Sequence, residues 1–147
     1  MFVRRLFVSL LAVVLGAGLL SACQRAGTTE SAAANAEPAH ITHLSNGHSR
    51  VTLSPLGARR IGLETAQVQV VGGMTQVPTD AVFYREDGST WVYVRTARLT
   101  FERFRIAIAR VSGTTTYVTS GLAADSVVAT VGVAELRGAE DGIPGEQ

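Results

Sequence analysis

No lysine occurs anywhere in the 147 residues, so all 13 basic side chains are arginine. They are scattered and balanced by 12 Asp and Glu, for a net charge of +1. A chain without a basic stripe lacks the electrostatic footprint of a nucleic-acid binder, and no nucleic-acid partner is expected. Cysteine occurs once, at Cys23, so no internal disulfide can form and the fold must stand on packing. Histidine occurs only at His40, His43 and His48. No Gly-rich phosphate loop follows a strand, and the serines have no candidate base beside them in sequence. Glu64, Asp80 and Asp125 stand isolated and read as solvated or turn carboxylates. These absences argue against an enzyme and against a cofactor.

No apolar run reaches the roughly 20 residues of a membrane-spanning helix. Leu6–Leu20 comes nearest, free of charge and polar only at Ser9. With Arg4 and Arg5 before it, it has the length and flanks of a signal-peptide core. Leu20-Ser21-Ala22-Cys23 follows and reads as a lipobox: small residues at the cleavage site, then the one thiol able to take the acyl chains. Residues 1–22 are therefore expected to be a lipoprotein signal and Cys23 the lipidated first residue of the mature chain. More than one acyl chain gives stable anchoring, where a single chain gives only reversible contact. The expected location is the membrane, lipid-anchored and facing the periplasm. Gln24, where an Asp tends to retain lipoproteins at the inner membrane, leans toward the outer one.

Removing the signal leaves 125 residues with 11 Arg against 12 acidic groups, a length that suits one domain. Residues 23–48 are rich in Ala, Thr, Ser and Asn without sustained periodicity and are read as a flexible tether. The three histidines at its end are weak metal candidates, since a site wants fixed geometry and a fourth ligand. From 49 to 137 the texture becomes that of a β-rich domain. Ser54-Pro55 is a helix start, Ser54 capping and Pro55 at the first helical position, with Gly62 as the stop. Alternating segments at 50–53, 65–71 and 99–111, β-branched and aromatic runs at 90–94 and 115–119, and an almost wholly apolar run at 126–131, punctuated by Gly-containing turns, predict strands. Residues 77–82, which carry Pro78, read as an edge or strand start. The expected fold is all-β, a small antiparallel β-roll or barrel-like domain with one short helix. Residues 138–147 are expected to fray. Along 99–111, Phe101, Arg103 and Arg105 share one face and Phe104 and Ile106 the other. The two arginines are expected to point outward, as candidate partner-binding residues. Trp91 is expected in the core.

Five segments, in order, resemble the periplasmic adaptors (membrane fusion proteins) of resistance-nodulation-division efflux pumps. Val51-Thr52-Leu53-Ser54 with Ile61 to Ala66 resembles the start of heavy-metal-type adaptors, and Val77-Pro78-Thr79-Asp80-Ala81-Val82 resembles the opening of their closing segment. Gly88 to Val94 and Thr100 to Arg103 resemble the strands that follow. Ser120 to Val128 resembles their Gly-Leu signature, with Ala124 where the family has glycine before Asp125. The resemblance covers residues 51 to about 136 and implies a membrane-proximal domain alone. In the family the lipoyl, barrel and hairpin middle would follow Val71, whereas here only Gly72–Gln76 separates the two ends. It implies an accessory or truncated adaptor acting by docking on an inner-membrane efflux transporter. The alternative is a periplasmic ligand- or metal-binding lipoprotein.

Overall fold

The computed structural model describes residues 37–45 and 47–142. Among these the chain is mostly strand, all paired antiparallel: β1 (Ala39–His43), β2 (Ser49–Leu53), β3 (Glu64–Gln67), β4 (Gln69–Val71), β5 (Met74–Pro78), β6 (Phe83–Tyr84), β7 (Thr90–Ala97), β8 (Thr100–Ser112), β9 (Thr115–Ser120) and β10 (Val127–Val131). Helix α1 (Pro55–Arg60) follows β2 and helix α2 (Val133–Glu140) follows β10. The expected all-β, barrel-like class is the observed one.

Hydrogen bonding runs in the order β3-β10-β7-β8-β9-β5-β4. The path nearly closes on itself because β3 and β4 are one stretch of chain, joined only by Val68. That residue is buried, and its N–H donates to the Ser126 carbonyl at 2.9 Å. Strand β8 is long enough to serve two neighbourhoods. Thr100–Glu102 pairs with β2, Thr100–Ile106 with β7, and Ala107–Ser112 with β9.

Alternation along β7 builds a core on each side of the sheet, since successive side chains point to opposite faces. Val92 and Val94 join Val68, Val77, Ile106, Val118 and Val128 inside the barrel. Tyr93 points the other way, into a second cluster with Val51, Leu53, Phe83, Phe101 and Leu136 beneath the two helices. A strand apolar on both faces belongs in the middle of a sheet, which is where β7 lies. Phe83 stacks on Tyr93 with ring centroids 5.0 Å apart.

Helix α1 begins where the sequence predicts: the Ser54 hydroxyl accepts from the Gly57 N–H at 3.0 Å, with Pro55 first in the helix. Two boundaries differ from the sequence reading. The tether expected over 23–48 contains β1, which pairs with β2 from Ala39↔Leu53 to His43↔Ser49 and turns Ala39 and Ile41 onto the core. The frayed tail expected over 138–147 contains the last turn of α2, an unforeseen second helix whose Leu136 is fully buried. Both elements are short and amphipathic only in place: five and eight residues give too little periodicity to stand out from polar surroundings. Residues 143–147 of that tail, and residues 1–36 with the signal and most of the tether, lie outside the described residues.

Candidate functional site

Trp91 stands at the centre of a connected set of polar contacts. Its indole N–H donates to the Ser89 hydroxyl at 2.6 Å, and that hydroxyl donates to Asp87 at 2.5 Å. The Ser89 backbone N–H also donates to Asp87, at 3.0 Å. These bonds from the Ser89 hydroxyl and N–H, with the charges of Arg105 and Arg85 behind them, hold the Asp87 carboxyl below the usual carboxylate range. The arrangement is an Asx-type turn lock between β6 and β7. The Ser89 hydroxyl is engaged on both sides, and both groups are taken up in holding the turn.

Above Trp91 lies the guanidinium of Arg103, 5.3 Å from the ring centroid. Arg103 continues inward to Glu140 on α2, with Nη1 3.2 Å from Oε1. The Glu140 side chain is only 3% exposed and that of Arg103 16%. The other oxygen of Glu140 accepts from the Tyr93 hydroxyl at 2.7 Å. Burial, followed by the hydrogen bond and the negative charge of Glu140, pushes the Tyr93 phenol up, so the proton stays on the tyrosine. The Arg103–Glu140 contact is close but poorly aligned. Arg103 Nε and Glu140 Oε1 make no hydrogen bond of their own.

The sequence expectation for the two arginines thus divides. Arg105 is exposed, on the same face as Trp91 and opposite it in the β7–β8 ladder. Arg103, expected outward, is turned into the domain instead, because α2 covers its part of the face and supplies a buried carboxylate. Sequence reasoning missed Glu140 by assigning it to the tail. The available signal was the spacing of Val133, Leu136 and Glu140, three and four residues apart on one helical face.

The histidines are not gathered. His43 turns toward the core face, where its Nδ1 is 3.1 Å from the Ser49 hydroxyl. His48 meets Trp91 edge-on with centroids 5.8 Å apart. His40 is an odd number of residues from His43 on β1 and therefore takes the opposite face. Among the described residues no three His, Cys, Asp or Glu groups come together as metal ligands. Zinc titration followed by calorimetry is expected to show no stoichiometric site tighter than micromolar. A site of that strength abolished by His43→Ala would reverse this reading. Cys23 lies outside the described residues.

Of the clefts, one of about 380 Å³ runs along α2 past Phe83, Val133 and Ala134. Another of about 310 Å³ runs along its opposite flank, lined by Pro38, Ala39, Leu53, Ile61 and Ala139. Both are largely apolar, with Arg137 and Asp141 at the edge of the first and Glu135 at that of the second. No helix among the described residues is long and apolar enough to cross a membrane. No family model, no curated protein and no solved structure matches this chain.

Proposed function

We propose that this chain is a lipid-anchored, periplasm-facing protein, an accessory or truncated form of an efflux-pump adaptor, and that it works by docking another protein. What supports this reading above all is how the two adaptor-like stretches sit together. The stretch before Gly72 supplies β2, β3 and β4, and the stretch after Gly73 supplies β5 to β10. They interleave through the β2–β8, β3–β10 and β4–β5 pairs. The Gly72-Gly73 turn stands where an adaptor would insert its lipoyl domain, barrel and hairpin. A domain whose ends pair this way closes without the middle. Of the two arginines, Arg105 remains the docking candidate, beside the exposed Phe104 on the reverse face.

The anchor limits where such docking can occur. From Cys23 to Glu37 the chain advances 14 residues, and a fully extended chain covers about 3.3–3.6 Å per residue, roughly 50 Å in all. Anchor and partner then belong to the same membrane, and for an inner-membrane transporter that is the inner one, against the leaning of Gln24.

The test has two arms. Cys23→Ala is expected to abolish incorporation of a labelled fatty acid and to leave an unprocessed precursor; label persisting in the variant would refute the lipobox. A photo-crosslinker at position 105, in membranes, is expected to capture a large inner-membrane transporter. Fractionation to the outer membrane with no transporter captured would remove the docking role.

A further inference from the structure

We infer that helix α2 is a hinged strap over the helix-covered core, opening as a unit while the barrel stays folded, and that Glu140 is its latch. This motion depends on neither the lipid anchor nor a docking partner.

The helix is weakly made. It has eight residues, no side-chain cap at its start, and Gly138 in its interior, where glycine is a poor helix former. An isolated helix of that length is unstable in water, so contacts with the sheet must hold it. Those contacts are few. Leu136 is the one fully buried apolar side chain it contributes, with Val133 and Ala139 packed beside it only partly buried. Along each flank runs one of the apolar clefts described above, so the helix fills its seat incompletely.

Its two ends differ in kind. At the start Gly132, buried tightly against Ile61, turns the chain at φ +85°, a conformation glycine takes without strain, and this is the fixed end about which the helix moves. At the far end Glu140 reaches into the domain and takes the Tyr93 hydroxyl and the Arg103 guanidinium. Arg137 and Asp141 add an exposed pair at 3.4 Å, and Arg85 stands 3.9 Å from Asp141. Arg137 also donates to the Tyr84 carbonyl at 3.2 Å, again in an exposed position. Exposed contacts of that kind contribute little, which leaves the buried Glu140 contacts as the main polar hold. Elements with few buried apolar contacts open locally at less cost than the whole fold. When α2 lifts about Gly132, the part of the apolar face of Val51, Leu53, Tyr93 and Phe101 that Leu136 covers is uncovered, while α1 stays in place. The closed form hides that face.

Native-state hydrogen exchange on the full chain, read by mass spectrometry, tests this. The amides of Leu136–Asp141 are expected to exchange well ahead of those at the centre of β7 and β8. Glu140→Gln is expected to speed α2 exchange about tenfold or more, through loss of the charged hydrogen-bond partner. It should leave β7 and β8 unchanged relative to the global limit. Gly138→Ala acts in the opposite sense and carries no folding risk, since a Cβ there meets nothing within 4 Å. It is expected to slow α2 exchange about two- to fivefold with no comparable change in the strands. Exchange of α2 at the same rate as β7 and β8 would overturn the strap. So would a Gly138→Ala effect spread equally over strands and helix.

Discussion

Replacing Phe101 by alanine is expected to destabilise the domain by about 3–5 kcal/mol. The ring is fully buried, and its position on β8 places it between β2, where it pairs with Val51, and β7, where it pairs with Arg95. Around it are Val51, Leu53, Tyr93 and Leu136, contributed by two strands other than its own and by α2. Val51, Leu53 and Tyr93 are held in their ladders and cannot move into the void, so most of the cavity term adds to the lost transfer energy. Trp91→Ala on the adjacent strand, one of the largest residues lost, is nonetheless expected to cost only about 1–3 kcal/mol. Trp91 is half-buried, and what it loses is the Ser89 hydrogen bond and the guanidinium of Arg103 above it. Urea denaturation of both variants checks the order. A Trp91→Ala loss exceeding that of Phe101→Ala would place the centre of the core elsewhere.

That contrast shows where sequence and structure part. β7 and β8 were legible because both strands are long, β7 with an unbroken run of β-branched and aromatic residues over Thr90–Val94 and β8 with charged and apolar side chains in exchange along it. That told which side chains share a face. It did not tell which face is covered at each point along the strand. Phe101, Arg103 and Arg105 do lie on one face, as their spacing requires, yet the first is core, the second pairs with a buried carboxylate and the third meets solvent. The gradient comes from α2, which lies over one end of that face and not the other. Its existence depends on Leu136 finding the cluster of Phe101 and Tyr93, a tertiary fact. β1 is a similar case: Ala39-His40-Ile41-Thr42-His43 has no strand signal beyond Ile41 and Thr42 until β2 supplies the ladder. By contrast, the Ser54-Pro55 start of α1 rests on one side-chain hydrogen bond and one fixed φ. Both are local, so sequence sufficed.

Gly121→Ala is expected to cost roughly 2–5 kcal/mol, from two sources. The residue has φ +107°, a region L side chains rarely adopt. Its place is also tight: an added Cβ would stand 2.1 Å from the Arg105 carbonyl oxygen and 3.0 Å from the Ile106 Cα. Both obstacles are backbone, so no side-chain rotation relieves them. The chain leaving β9 crosses β8 here, just before the register shift between Ala107 and Ile108. The next side chain along β8 is Ile106, part of the barrel core. An alanine would therefore push β8 away from the barrel at the point where it passes from β7 to β9. Gly113→Ala provides the control. Gly113 has φ +57° in the β8–β9 turn, but a Cβ there meets nothing within 4 Å. Only the left-handed backbone is then penalised, at about 1–2 kcal/mol. The difference between the two variants in urea midpoint, at unchanged slope, isolates the close approach. Equal losses would mean that the two strands are not locked together at Gly121, and the barrel would need another account of how it bends.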